Sequence, residues 1–122
     1  MIYRKLNVWI KAKELAVEVY KLIRGFPSFE KYGMVSQLAR SAVSVASNLA
    51  EGCSRSSAKE QVHYIEIAYG SLLELCCQIE ISRDLAYLSS SKADDILMKA
   101  EKLAVMLSNY KKTKMGRKAE GS

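Results

Sequence analysis

The chain is poor in the residues that break helices, bind metals or cross-link proteins. Its 122 residues include one proline, one histidine and three cysteines. A single proline leaves room for long helices. The cysteines are odd in number and two, Cys76 and Cys77, are adjacent, so they do not form a disulfide framework. We expect Cys53, Cys76 and Cys77 to be free thiols in a reducing compartment. We therefore expect a cytoplasmic protein.

Long apolar runs are also missing. Arg4 and Lys5 lie close to residue 1, but charged residues at 11, 13, 14 and 18 interrupt the segment that follows them. The segment therefore has neither the apolar stretch of a signal peptide nor the roughly 20 apolar residues that span a bilayer. We predict a protein with no membrane partner.

Basic side chains are concentrated near residue 122. The formal net charge is +6, and residues 111–122 hold five basic residues and one acidic residue, Glu120. We expect 113–122 to be a basic flexible tail, and such a run attracts polyanions such as nucleic acid. A merely solvated tail is the competing interpretation. The candidate nucleic-acid contacts are Arg4, Lys5, Lys111, Lys112, Lys114, Arg117 and Lys118.

Apolar residues recur at steps of three and four along four segments, which predicts amphipathic helices at about 7–25, 31–51, 57–87 and 91–112. Ser57 and Glu60 form a Ser-x-x-Glu capping box at the start of the third. The short connections require neighbouring helices to be antiparallel. We predict an all-α, antiparallel up-down-up-down four-helix bundle that forms one domain over residues 1–112.

Two of the predicted helices have wider apolar faces than one bundle core needs. Trp9 and Tyr20 widen the face of the first, and Ile67, Leu73 and Ile81 widen that of the third. Surplus apolar surface marks interaction sites, and a second copy of the same chain is the commonest partner. We therefore predict that the protein assembles with itself.

Polar residues cluster where the second predicted helix meets the third, in the stretch SNLAEGCSRSS. We expect a hydrogen-bonded clasp that satisfies backbone groups left open at two helix ends, with Asn48 opposite Glu60. A positive φ at Gly52 would end the second helix. A reactive site is the competing interpretation. The clasp residues are Asn48, Glu51, Gly52, Arg55, Ser57 and Glu60.

Arg40, Ser71 and Glu74 fall inside the predicted helices. We expect them to be inter-helix polar contacts, because an unpaired buried carboxylate costs free energy. Arg40, Glu51, Glu60 and Glu74 could instead form the acid/base set of a nuclease. No histidine, lysine or glycine-rich loop is spaced to assist such a set, so we do not expect an enzyme.

Metal ligands are scarce. Glu60 and His63 have the Glu-x-x-His spacing of di-iron sites, but His63 is the only histidine. Cys53, His63 and Cys76 fail as zinc ligands, because the helix between the last two is about 20 Å long. We expect no metal, no other cofactor and no small-molecule substrate.

Several short motifs occur in a specific order over residues 6–110. They are Leu6-x-Val8-Trp9 with Ala12, Phe26-Pro27, Tyr32-Gly33-Met34, Gln37-x-x-Arg40-x-Ala42, Ser44-Val45-Ala46-Ser47-Asn48-Leu49-Ala50-Glu51-Gly52 and Gly70-Ser71-Leu72-Leu73-Glu74-Leu75. In these motifs the chain resembles the four-helix bundle proteins encoded within intervening sequences of bacterial 23S rRNA genes. It departs from that pattern at Ala46, where proline is frequent, and at Cys53, where an aromatic residue is frequent.

The resemblance implies a closed cyclic homo-oligomer, expected to be a pentamer, and no established biochemical activity. The chain is also similar to the accessory bundle proteins of diversity-generating retroelements, which engage a reverse transcriptase and its RNA. We therefore expect a non-catalytic binding or scaffold protein for structured RNA or for an RNA-handling protein such as a reverse transcriptase. A protein–protein adaptor without nucleic-acid affinity is the alternative, and a nuclease is a third.

Overall fold

Four α-helices joined by short turns follow one another along the chain. The structure, a computed structural model, describes the backbone of residues 1–121 and the side chains of residues 1–116. The helices are α1 (Asn7–Ile23), α2 (Met34–Cys53), α3 (Ala58–Asp84) and α4 (Ser90–Gly121), with 3₁₀ turns at Ile2–Lys5 and Ser28–Glu30. The described residues include no strand. The prediction of an all-α, four-helix fold is confirmed.

Neighbouring helices are antiparallel. Ser44 of α2 contacts Ser71 of α3, and Ser41, earlier in α2, contacts Gln78, later in α3. Glu18 of α1 likewise contacts Lys99 of α4. Each helix packs against two others, in the cyclic order α1–α2–α3–α4. Consequently Ile2–Lys5, the α2–α3 turn and the last turns of α4 lie at one end of the bundle.

The core consists of one apolar stripe from each helix. In α1 the buried residues are Val8, Ala12, Leu15 and Val19, which follow one another at the predicted steps of three and four. The largest side chains that are almost fully buried come from the other three helices: Leu38, Leu49, Leu72, Leu75, Ile79, Leu103 and Leu107. Steps of three and four thus identify the core correctly.

The fourth helix is longer than predicted. It continues through residue 112 to Gly121, so the prediction that 113–122 is a flexible tail is wrong for residues 113–116. A lone glycine such as Gly116 costs a helix only about 1 kcal/mol and does not end it. The Thr113 hydroxyl also donates to the Asn109 carbonyl, at 3.2 Å, within the helix. The side chains of Arg117 and Lys118 lie outside the described residues.

The connections at the end opposite Ile2–Lys5 are tied together. Tyr87, which follows α3, donates to Glu30 Oε2 at 2.8 Å, and Glu30 Oε1 accepts the Met34 N–H at the start of α2, at 3.1 Å. Tyr87 also packs against Phe26, with ring centroids 5.4 Å apart. The hydrogen bond to Glu30 raises the pKa of Tyr87 above its ordinary value, with burial adding to the effect.

A strained residue ends α3. Ala86 has φ of 61°, in the left-handed region that a side chain disfavours. The Tyr87 N–H donates to the Ser82 carbonyl and the Ala86 N–H to the Arg83 carbonyl, each at 2.9 Å. This is the Schellman arrangement, in which glycine is the usual residue at the position of Ala86.

We predict that Ala86→Gly stabilises the protein by about 1 kcal/mol, because glycine adopts a positive φ without the Cβ clash. Urea unfolding followed by circular dichroism measures the change. Ala39→Gly, inside α2, is the matched control and should destabilise by about 1 kcal/mol. A loss of stability in Ala86→Gly would show that this turn is not strained.

Candidate functional site

Arg55 organises the turn between α2 and α3. Its guanidinium contacts the Glu51 carboxylate and donates to the Tyr64 hydroxyl at 2.9 Å. The guanidinium carbon also lies 4.9 Å from the centroid of the Tyr64 ring. The Arg55 carbonyl accepts a hydrogen bond from Gln61 Nε2, at 2.8 Å. Arg55 therefore ties the end of α2 to the first two turns of α3.

Only some of the predicted clasp residues meet. Ser57 caps α3, since its hydroxyl accepts the Glu60 N–H at 3.1 Å, but the Glu60 carboxylate has no hydrogen bond or ion pair among the described residues. Asn48 takes no part and instead donates to the carbonyl and hydroxyl of Ser44, at 2.8 and 3.0 Å. The predicted pairing of Asn48 with Glu60 is wrong, because Gly52 is the α2 residue that lies opposite Tyr64.

Gly52 has a different role from the one predicted. It lies inside α2, is buried and does not have a positive φ. A Cβ at this position would lie 2.8 Å from Tyr64 Cβ, a separation that real Cβ contacts do not show. Glycine is therefore required by the close approach of α2 to α3.

We predict that Gly52→Ala destabilises the protein by about 1–3 kcal/mol, because the added methyl group overpacks the α2–α3 contact. The free energy of unfolding in urea is the measurement. Gly70→Ala is the control: a Cβ at Gly70 meets nothing within 4 Å, so alanine there should stabilise α3 by up to about 1 kcal/mol. Equal effects of the two substitutions would contradict the close approach.

A line of polar contacts continues along the α2–α3 seam. The Ser41 hydroxyl donates to Gln78 Oε1 at 2.8 Å, and Gln78 Nε2 donates to Glu74 Oε1 at 3.1 Å. Glu74 also faces Arg40 across the seam at 3.9 Å. The hydroxyls of Ser71 and Ser44 lie 2.8 Å apart. Ser71 and the pair Arg40–Glu74 thus make contacts across the α2–α3 seam, but the Glu74 and Arg40 side chains are 51% and 69% exposed, so the expected buried carboxylate is absent at Glu74. Sequence reasoning missed the buried pair Ser41 and Gln78.

The residues of the alternative catalytic set do not converge. Glu51 and Glu60 lie at the α2–α3 turn, whereas Arg40 and Glu74 lie farther along the seam. The 14 residues of helix between Glu60 and Glu74 correspond to about 21 Å. Within the described part of the chain, no three histidine, cysteine, aspartate or glutamate side chains come together as a metal site.

One end of the bundle is rich in basic side chains. This basic end consists of Arg4, Lys5, Lys59, Lys111, Lys112 and Lys114. Lys111 pairs with Glu66 at 3.4 Å, and Lys114 Nζ lies 5.4 Å from the Tyr110 ring centroid. Among residues 1–116, no carboxylate lies within 4 Å of the charged groups of Arg4, Lys5, Lys59 or Lys112, and all four residues are exposed.

An apolar groove runs between α1 and α2 on the outside of the bundle, with a volume of about 470 Å³. Its walls include Trp9 and Tyr20 of α1, and its floor includes Ala46 and Ala50 of α2. Tyr3 packs edge-on against Trp9, with ring centroids 4.7 Å apart. The sequence indicated this surface through the surplus width of the first helix.

The sequence profile of the 23S rRNA-intervening sequence protein family matches residues 4–109. The chain belongs to this family. No curated protein matches the chain. No helix in the described part of this 23S rRNA-intervening sequence protein is both long enough and apolar enough to cross a bilayer.

A solved structure shares the fold. It is the crystal structure of a protein of unknown function from the S23 ribosomal protein family of Bacteroides thetaiotaomicron, with a TM-score of 0.78 and 21% identity. The similarity covers 86% of this chain and 98% of that one. At this identity the likeness supports the four-helix fold and carries no functional assignment.

Proposed function

We propose that this protein is a non-catalytic, self-assembling bundle that binds structured RNA through its basic end. The observation that carries the proposal is the set of exposed cations there, of which Arg4, Lys5, Lys59 and Lys112 have no carboxylate within 4 Å among the described residues. Such cations bind phosphates with release of counterions. The family's association with rRNA intervening sequences is consistent with an RNA ligand.

The charges at the opposite end are arranged differently. There Arg83 lies within 4 Å of three carboxylates, those of Glu80, Asp84 and Asp94. A cation surrounded by carboxylates is a poor phosphate ligand, because an incoming phosphate must compete with negative charge already in place. Lys21, Arg24, Lys31 and Lys92 at the opposite end are also exposed and have no carboxylate within 4 Å among the described residues, so the two ends differ in net charge rather than in the presence of such cations. The opposite end holds the carboxylates of Glu30, Glu80, Asp84, Asp94 and Asp95, whereas the basic end holds those of Glu51, Glu60 and Glu66. The difference in net charge favours the basic end as the polyanion-binding surface.

Self-assembly is supported by apolar side chains that the single chain leaves outside. Tyr20 is 46% exposed, Leu73 51% and Val105 62%. In a cyclic assembly the basic end is repeated once per copy around the axis. The modest positive charge of one chain then becomes a high local density of positive charge. We expect a pentamer, as the family resemblance implies, in the cytoplasm, where the free thiols Cys53, Cys76 and Cys77 stay reduced.

A protein–protein adaptor is the competing candidate, and the α1–α2 groove is the observation that favours it. In this alternative a partner segment occupies the groove, and the protein has no affinity for nucleic acid. A partner protein that itself handles RNA, such as a reverse transcriptase, is compatible with both the adaptor and the RNA-binding candidate. Such a partner would bring its RNA to the basic end.

We predict that replacing Lys59 and Lys112 together by alanine weakens retardation of a structured hairpin RNA in a gel. Binding should also become less salt-dependent, because fewer counterions are released: the log–log slope should fall by about one unit for each phosphate that the variant no longer neutralises. The measurement is a titration of the purified protein at two salt concentrations.

The matched control replaces Lys31 and Lys92, two exposed lysines at the opposite end, by alanine. This variant should bind RNA as the unmodified protein does. An equal loss of binding in the control would refute the assignment of the basic end. A complete absence of RNA binding by the unmodified protein would favour the adaptor.

A further inference from the structure

We propose that the α1–α2 groove binds unpaired nucleotides of the RNA, with a base stacked on Tyr20 and the neighbouring phosphates held by cations beside the groove. These cations are Lys13, Arg4 and Lys5. The inference rests on the proposed RNA binding and specifies which part of the RNA is recognised, a single-stranded stretch next to a structured region. The basic end by itself would contact phosphates only.

Aromatic rings line the groove. Tyr20 is 46% exposed, and among residues 1–116 no other ring and no cation packs against its ring. Trp9 lies on the same face of α1, about 16 Å away along the helix, with Tyr3 packed edge-on against it. Every nucleobase has a π-face, so an exposed ring can stack on a base whatever the RNA sequence. Tyr20 is therefore the stacking platform of the groove.

Small side chains leave space between these rings. Ala16 of α1 and Ala46, Ser47 and Ala50 of α2 belong to the lining of the groove. The groove volume of about 470 Å³ falls within the roughly 300–1,000 Å³ of sites that hold small organic ligands. The groove therefore has room for a planar base beside Tyr20.

The charges in and beside the groove are complementary to phosphate. The lining contains Lys13, whose Nζ lies 5.2 Å from the Trp9 ring centroid, and no carboxylate. Among residues 1–116, no carboxylate lies within 4 Å of the charged groups of Lys13, Arg4 or Lys5. The nearest carboxylates in the sequence, Glu14, Glu18 and Glu51, pair with Lys11, Lys99 and Arg55, respectively. A phosphate supplies the counter-charge that an apolar partner segment lacks, which favours RNA as the occupant.

The groove is continuous with the basic end. The Ile2–Lys5 turn packs against both α1 and α2, and it contributes Tyr3 to the groove lining and Arg4 and Lys5 to the basic end. A strand that leaves a duplex bound at the basic end therefore enters the groove directly. The proposal requires the groove to stay open in the assembly. Leu73 and Val105, which the proposed assembly covers, lie on α3 and α4, outside the groove.

Two hairpin RNAs test the proposal with the unmodified protein. One carries a short unpaired adenosine overhang, and the other carries the same overhang built from abasic residues, so the phosphates are equal and only the bases differ. In a gel-retardation titration the adenosine RNA should bind about fivefold or more tightly, as expected for a stacked base. It should also change the fluorescence of Trp9, the only tryptophan of the chain, more than the abasic RNA does.

Substitutions at Tyr20 test the stacking itself. Tyr20→Leu removes the ring and keeps an apolar side chain, so it should weaken binding of the adenosine RNA about fivefold or more and leave binding of the abasic RNA unchanged. Tyr20→Phe keeps the ring and should bind both RNAs as the unmodified protein does. The matched control is Tyr32→Leu at the opposite end, which should change neither affinity. Tyr32 is 88% exposed and also has a lysine beside its ring, with Lys31 Nζ 5.4 Å from the centroid.

The failures are distinguishable. If the unmodified protein binds neither RNA, the proposed RNA binding fails and the groove assignment with it. If it binds both RNAs equally, RNA binding stands, the groove assignment is overturned, and the groove is left to the partner segment of an adaptor. A Tyr20→Leu variant with unchanged circular dichroism that weakens both RNAs alike, or no more than Tyr32→Leu does, also overturns the assignment. If Tyr20→Leu does not fold, the comparison of the two RNAs with the unmodified protein still decides.

Discussion

The close contact between α2 and α3 is the constraint on which the rest of the structure depends. Gly52 brings the end of α2 against Tyr64, and the buried hydrogen bond from Ser41 to Gln78 fixes the same two helices farther along. A buried polar pair is satisfied in only one register, because a slip leaves donors and acceptors without partners. This register places Arg55 against Tyr64 and leaves Leu73 and Ile81 of α3 facing outward.

The antiparallel order then determines where the charge lies. Because each helix reverses the direction of the one before it, Arg4 and Lys5 reach the same end as Lys59 of α3 and Lys112 of α4. The basic end is thus a product of topology, since these residues are far apart in sequence. The apolar surplus has a different origin: single apolar side chains on the outer faces of the helices, such as Tyr20 of α1, Leu73 of α3 and Val105 of α4, are left exposed by the four-helix core.

Much of this structure could be predicted from the sequence, because apolar spacing and capping residues act locally. The stripe of α1 and the cap at Ser57 are examples.

The role of Gly52 could not be predicted, because a positive φ and a close helix approach both select glycine, and only the position of Tyr64 distinguishes them. Asn48 was misplaced for a related reason: the register of two helices depends on tertiary contacts rather than on counting from the turn. The length of α4 was underestimated because basic residues near a helix end are equally compatible with further turns.

The central claim is that the single chain leaves more apolar helix surface outside than it can cover, so that copies assemble and concentrate the basic ends. The molar mass of the native protein, measured by light scattering across a range of concentrations, tests it most directly. The account predicts an integer multiple of the 13.6 kDa chain mass, with a pentamer as the expected multiple. A mass of 13.6 kDa at every concentration, from a folded and soluble sample, would contradict it.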